Sequence, residues 1–183
     1  MTEDFSELAG AIDLAENPDP RCPVVLVLDA SSSMAQQMTG EGTTPLDALN
    51  GGLDVLISEL RRDPLAKRRV EISVVTFGTE VSPATPFATI DSAVIPTLVP
   101  SGVTSMGKAI EVALDALEAR KKEYKASGVE YYRPMLFLIT DGLPTDDITE
   151  AAKRIQEAEA AKKLTLFAVG VEGYDHETLS KLS

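Results

Sequence analysis

Val24-Val25-Leu26-Val27-Leu28-Asp29-Ala30-Ser31-Ser32-Ser33-Met34, or VVLVLDASSSM, decides how this chain folds. The apolar run from Val24 to Leu28 has the character of a strand buried on both faces of a parallel sheet. It breaks off into Asp29 and a run of small and hydroxyl-bearing residues. A central strand of an α/β sheet delivers its ligand-binding groups at its carboxyl end, where the departing loops diverge and open a crevice. The question put to the remaining residues is what else reaches that crevice.

The bulk properties narrow the answer. A chain of 183 residues, 44% apolar and 25% charged, fits one globular domain burying roughly 70% of its unfolded surface. Twenty-nine acidic against seventeen basic side chains give a net charge of −12, which repels nucleic acid and anionic membranes. Lys67-Arg68-Arg69 and Arg120-Lys121-Lys122 follow helical patterns and read as solvated helix ends, not as a basic patch. No apolar stretch approaches the roughly 20 residues that span a bilayer. The acidic N-terminus, with Glu3, Asp4 and Glu7, lacks the features of a secretion signal. A cytoplasmic protein is expected. The single cysteine, Cys22, has no metal-ligand neighbours at suitable spacing and reads as an incidental thiol. The single histidine, His176, reads as an exposed loop residue.

Along the chain, Phe5, Leu8, Ile12 and Leu14 form a weak helical stripe in an acidic segment, residues 1 to 20, that Asn17-Pro18-Asp19-Pro20 ends. The main domain is read as residues 21 to 183. Gly40-Glu41-Gly42 lacks the third glycine and the tight turn of a dinucleotide fingerprint. Thr44, Pro45 and Asp47 form a capping-box-like start to a helix whose stripe is Leu46, Leu49, Leu53, Leu56, Ile57 and Leu60, stopped by Pro64. Val70 to Phe77 alternates as a strand. Val81 to Ile90, with Pro83 and Pro86, suits an edge hairpin partner.

Two later stretches complete the pattern. In Ser101 to Ser105, Gly102 permits a tight path, and Thr104 or Ser105 caps a helix with Met106, Ile110, Ala113, Leu114 and Leu117 inward. Pro134 to Thr140 repeats the first strand's pattern and ends in Thr140-Asp141-Gly142. Thr145 or Asp146 caps a third helix bearing Ile148, Ala151, Ala152 and Ile155, and Leu164 to Val171 reads as a further buried strand. The alternation predicts a Rossmann-like, doubly wound α/β fold with a mainly parallel central sheet flanked by helices and one antiparallel edge strand.

Asp29, Ser31, Ser33, Thr104 and Asp141 thus converge on one crevice as hard oxygen donors. Residues two apart in an extended segment point the same way, which aligns Asp29, Ser31 and Ser33. Six oxygens at about 2.1 Å suit Mg²⁺ or Mn²⁺, and the absence of His and Cys argues against Zn²⁺. The plainer alternative is that Ser31 and Ser33 shape a turn, Asp141 caps a helix and the domain holds no metal.

D-x-S-x-S after the first strand, an isolated Thr before a helix and T-D-G after a later strand together resemble the metal-ion-dependent adhesion site of von Willebrand factor type A (vWA) domains. The resemblance runs over nearly the whole chain from Pro23. Residues 15 to 23 (AENPDPRCP) and 140 to 146 (TDGLPTD) further resemble the bacterial TerY-like branch. The resemblance implies Ser31, Ser33 and Thr104 as hydroxyl ligands, with Asp29 and Asp141 acting directly or through water. It implies a remaining coordination position for an Asp or Glu of a partner protein. A metal held largely by neutral groups keeps charge for such a ligand even on an acidic protein. The TerY-like likeness implies bacterial stress or tellurite resistance, with a kinase and a phosphatase of the same system as partners. Ser32 stands where the family often has glycine, which bears on loop geometry and not on the ligand set. Family domains commonly end with another strand and helix. This chain stops at Ser183, so a short branch or a truncated chain is expected, with the edge at Leu164 to Val171 left open.

The rival from another class is a Mg²⁺-dependent phosphotransferase or phosphatase of haloacid-dehalogenase type, which also places a nucleophilic Asp after its first strand. That family has a second Asp two residues on as acid and base. Here the position is Ser31, which cannot fill that role near neutral pH. No P-loop and no Ser/His pair is present. The expectation is a non-enzymatic, metal-dependent protein-binding module.

Overall fold

The computed structural model describes residues 17–36, 42–141, 143–171 and 174–182. The stripe from Phe5 to Leu14, Gly40, Glu41 and Gly142 therefore lie outside the described residues. The strands are β1 (Cys22–Asp29), β2 (Val70–Phe77), β3 (Ala88–Thr89), β4 (Met135–Thr140) and β5 (Thr165–Gly170). The helices are α1 (Pro45–Arg62), α2 (Pro64–Arg69), α3 (Met106–Ala126), α4 (Thr149–Ala160) and α5 (His176–Leu182), with a 3₁₀ turn at Ser32–Ala35.

The strands form one sheet in the order β3-β2-β1-β4-β5, parallel except for the short edge strand β3. This is the mainly parallel, helix-flanked architecture expected. From β1 the chain crosses to β2 on one side and later returns to β4 on the other. The gap between the carboxyl ends of β1 and β4 is therefore the topological switch point, where loops part and ligands bind.

β1 is central because both its faces are apolar. Val25 and Val27 pack with Val75, Leu136, Leu138 and the inner stripe of α3 (Ile110, Ala113, Leu117) on one side. Val24, Leu26 and Leu28 pack with Ile72, Val74 and α1 on the other. By the pleat, Asp29 shares the α3 side with Val25 and Val27. The capping box at Thr44 and Asp47 forms as expected. Leu46, Leu49, Leu53 and Ile57 are buried, but Leu56 is 40% exposed, because the sheet covers a narrower arc than the full leucine stripe. Pro64 ends α1 and also opens α2, with Asp63 accepting from the backbone N–H of Leu65 and Ala66. Asn17 and Asp19 bind Arg68 near the end of that helix, through the Arg68 carbonyl and its guanidinium respectively.

Three expectations need correction. Arg120 and Lys121 are not solvated: each is only 9% exposed. Arg120 is drawn inward by Glu71, a fully buried residue of β2, at 2.7 Å from Nη2 and 2.8 Å from Nε. Arg21 approaches the other Glu71 oxygen at 3.5 Å, and the Tyr124 hydroxyl donates to Glu71 at 2.5 Å. Burial, then the Glu71 charge, raises the Tyr124 phenol above its ordinary value, so that hydroxyl stays a donor. The strand at β5 is half-exposed rather than buried. Leu166 and Ala168 face the core, while Phe167 and Val169 are 41% and 43% exposed on a sheet edge that no described helix covers on that face. His176 is exposed but opens α5, with Nδ1 3.2 Å from the Ser180 hydroxyl, instead of lying in a loop.

Candidate metal centre

Asp29 ends β1 with no solvent exposure. One carboxylate oxygen accepts the Ser31 backbone N–H at 2.7 Å and the other accepts the Thr140 hydroxyl at 2.5 Å. Ser31 and Ser33 are linked through their hydroxyls at 3.0 Å, and the Ser33 hydroxyl donates to Asp141 at 2.9 Å. A continuous chain of oxygens therefore crosses the switch point from the β1 loop to the β4 loop. Thr140 was not singled out from sequence as a site residue. The parallel register pairs Leu28 with Ile139, which puts Thr140 level with Asp29, and that register was the missing signal.

Thr104 comes from a third loop, fixed to the β1 loop by backbone bonds. The Ser101 N–H donates to the Ala30 carbonyl at 2.6 Å, and the Ser32 N–H donates to the Gly102 carbonyl at 2.9 Å. Gly102 has φ +51°, and a Cβ there would stand 1.5 Å from the Thr79 hydroxyl. Glycine is therefore required for the loop to pass the end of β2. Thr104 is 6% exposed.

The expected caps are redistributed. Ser105 holds the N-cap position of α3 without a side-chain cap, and α4 begins at Thr149 without one at Ile148. Asp146, expected to cap α4, instead accepts the backbone N–H groups of Gly107 and Lys108 at 3.1 and 2.9 Å. The β4–α4 loop thus satisfies the start of α3, and Thr104 is not needed for that task. The Thr145 N–H donates to the Thr104 carbonyl at 2.9 Å, tying the same two loops together.

The electrostatics are uneven. Burial holds the Asp29 carboxyl above the ordinary carboxylate range, against the Ser31 and Thr140 bonds that favour its anion, and Asp141 nearby adds to the rise. Among the described residues, no Lys or Arg pairs with Asp29. A buried carboxylate beside a second one, served only by neutral donors, fits a small hard cation. Among the described residues no group of three His, Cys, Asp or Glu gathers. The oxygens that the hydrogen bonds bring together here are those of two carboxylates, Asp29 and Asp141, and of the Ser31, Ser33 and Thr140 hydroxyls. Cys22 plays no part in this network. Its half-buried thiol opens β1 at the opposite end of the strand, and burial raises it above the usual thiol value.

Comparison with known proteins agrees with the architecture. The von Willebrand factor type A domain profile matches residues 24–183. Comparison with curated proteins finds no match. Among solved structures, proximal thread matrix protein 1 from the mussel byssus is 18% identical with a TM-score of 0.56, over 91% of this chain and 42% of that one. The conserved hypothetical protein BatB from Bacteroides thetaiotaomicron is 23% identical with a TM-score of 0.53, over 85% and 77%. The PilB minor pilin from Streptococcus sanguinis is 20% identical with a TM-score of 0.53, over 68% and 30%. These likenesses speak to fold alone, and the chain spans less than half of the pilin and of the byssus protein. Among the described residues no helix is long and apolar enough to cross a membrane. The sheet order, the crevice at its switch point and the extent of the profile match lead to one assignment: the chain belongs to the von Willebrand factor type A domain family.

Proposed function

We propose that Asp29, Ser31, Ser33, Thr104 and Asp141 hold a Mg²⁺ or Mn²⁺ ion through which this domain captures an Asp or Glu of a partner protein. VWA domains are in general metal-dependent protein-interaction modules rather than enzymes. The observation that carries the reading is Asp29, a carboxylate with 0% exposure and no cationic side chain against it among the described residues. When bound, the metal supplies a positive centre of incomplete charge neutralisation that a carboxylate oxygen can ligate. The protein's part is to keep three loops in register. The Ala30–Ser101, Ser32–Gly102 and Thr104–Thr145 backbone bonds do this before any ligand arrives.

The TerY-like runs at residues 15 to 23 and 140 to 146 support a narrower setting. There the domain acts in the cytoplasm, in a bacterial stress or tellurite-resistance system, and its partners are a kinase and a phosphatase of that system. This setting rests on fold-family analogy. Nothing in the site favours the phosphotransferase alternative, since Ser31 is 1% exposed and bonded to Ser33, with no second acid at its position.

The test is a calorimetric titration of chelator-stripped protein with Mg²⁺ and with Mn²⁺, beside Asp29→Ala and Thr104→Ala, with a generic phosphatase substrate assayed in parallel. Saturable one-site binding that each variant weakens by at least about tenfold, without turnover, is expected. Binding indifferent to both substitutions, or substrate turnover, would remove the reading.

A further inference from the structure

At the opposite end of the sheet from Asp29 lies a cavity of about 560 Å³, within the size range of small-molecule sites. Its walls carry five cations: Lys121 and Lys125 from α3, Arg133 from the segment before β4, and Lys162 and Lys163 from the turn between α4 and β5. The five come from three structural elements, and of them only Lys121 belongs to one of the basic runs noted in the sequence, Arg120-Lys121-Lys122. The chain has twenty-nine acidic side chains against seventeen basic ones, and partners for surface lysines are plentiful. Yet among the described residues none of Lys125, Arg133, Lys162 and Lys163 makes an ion pair. Lys121 pairs with Glu118, the only acid lining the cavity.

Helix ends attract lysines through the macrodipole, but that accounts for isolated residues and not for convergence on one concavity. Lys162 supplies a second, independent sign. Its φ is +56°, and it is the only non-glycine residue with positive φ among the described residues. It follows the C-cap of α4, in a turn closed by Lys162 N–H to Glu159 and Lys163 N–H to Ala158 carbonyls. Glycine is the residue favoured in that left-handed position. A lysine there holds a strained backbone conformation and places a cation at the cavity wall, the pattern of strain retained at a working site.

We infer that this cavity binds a small phosphate-rich anion, with pyrophosphate and the phosphate tail of a nucleotide as the two sources of that chemistry. Clustered ammonium and guanidinium groups give charge-assisted hydrogen bonds to phosphate oxygens, and Arg133 adds a planar fork. Tyr131, half-buried in the wall and stacked on Tyr124 at 5.2 Å, offers a ring beside the charges. The site is independent of the proposed metal centre.

The experiment is a calorimetric titration of the full chain in divalent-free buffer at about 0.1 M salt, where fields of distant charges are screened beyond roughly 10 Å. Pyrophosphate, ATP and sulfate are titrated separately. Saturable one-to-one binding of pyrophosphate is expected, weakened at least about tenfold by Lys125→Ala and by Lys162→Gly, because each removes a charge-assisted bond. Lys181→Ala, on α5 outside the cavity, leaves it unchanged. Lys162→Gly also raises the melting temperature of the ligand-free protein, which separates lost binding from lost folding. Equal affinity for ATP means that phosphate alone is read. Tighter ATP binding abolished by Tyr131→Ala means that the ring reads the base. Non-saturating heats, binding untouched by both cavity variants, or sulfate binding as tightly as pyrophosphate would overturn the proposal.

Discussion

Two carboxylates with no solvent exposure lie under opposite ends of the same helix, α3, and they are treated in opposite ways. Glu71, at the start of β2, has Arg120, Arg21 and Tyr124 around it. Asp29, at the end of β1, has the Ser31 backbone N–H and the hydroxyls of Thr140 and Ser31, all neutral. Both are on the same face of the sheet, and since Asp29 is level with Phe77 in the parallel register, roughly 20 Å of strand separates them. The Glu71 end closes the domain, because its anion is neutralised within the fold. The Asp29 end leaves a charge for something else to neutralise. Burial alone therefore does not mark function. The proposed metal centre rests instead on a buried carboxylate that no cationic side chain meets among the described residues.

The largest expected effect comes from breaking the closed end. Glu71→Ala removes the buried anion that Arg21 and Arg120 share, leaving Arg120 only its pair with Glu123 at the helix surface, and loss of one partner from a buried pair costs about 3–5 kcal/mol. Urea denaturation measures it, and a loss below about 1 kcal/mol would mean that water already shares these charges. The open end responds differently. Asp29→Asn removes a buried charge that has no cation, and the Thr140 hydroxyl can turn to accept as well as donate. In chelator its stability should stay within about 1 kcal/mol of the parent. Mg²⁺ at a hundredfold over its dissociation constant should stabilise the parent by about 2.7 kcal/mol and leave the Asn variant unmoved. An equal shift in both proteins would place the ion elsewhere.

How far the sequence discloses this contrast follows from the range of each signal. The β1 run and its five-residue ending are local, as are the stripe of α1 and the Thr44 capping box, and these were legible. Asp29, Ser31, Ser33 and Asp141 could be grouped because each follows a strand whose direction the α/β alternation implies. Thr140 required the β1–β4 register, and Asp146 required knowing that the β4–α4 loop reaches α3. Glu71 was hidden because one acid in an alternating strand looks like a solvent-facing residue, and its partner Arg120 is 49 residues away. Arg120 and Lys121 were misread as solvated for the same reason. Charge pairing across a fold has no periodicity, so the closed end was illegible while the open one was not.

The smallest expected effect isolates what burial contributes. Asp47 in the capping box accepts from the Thr44 hydroxyl at 2.7 Å and the Thr44 N–H at 3.2 Å. This is the same donor chemistry that Asp29 receives, but it is met at the exposed start of α1. The direction reverses: those bonds hold Asp47 below the ordinary carboxylate range, whereas desolvation lifts Asp29 above it. A depressed folded value means that the unfolded chain binds more protons between the two values. The Asp47 contribution is then fully present above about pH 4 and is lost as pH falls through the lower folded value. Thr44→Ala should lower stability by about 1 kcal/mol near neutrality. The stability gap between the parent and Asp47→Asn should narrow as pH falls below about 4, read from urea midpoints across that range. A gap that holds constant with pH would show that hydrogen bonds from a hydroxyl and an amide do not select the anion even in water. The rise at Asp29 could then no longer be credited to burial overriding them.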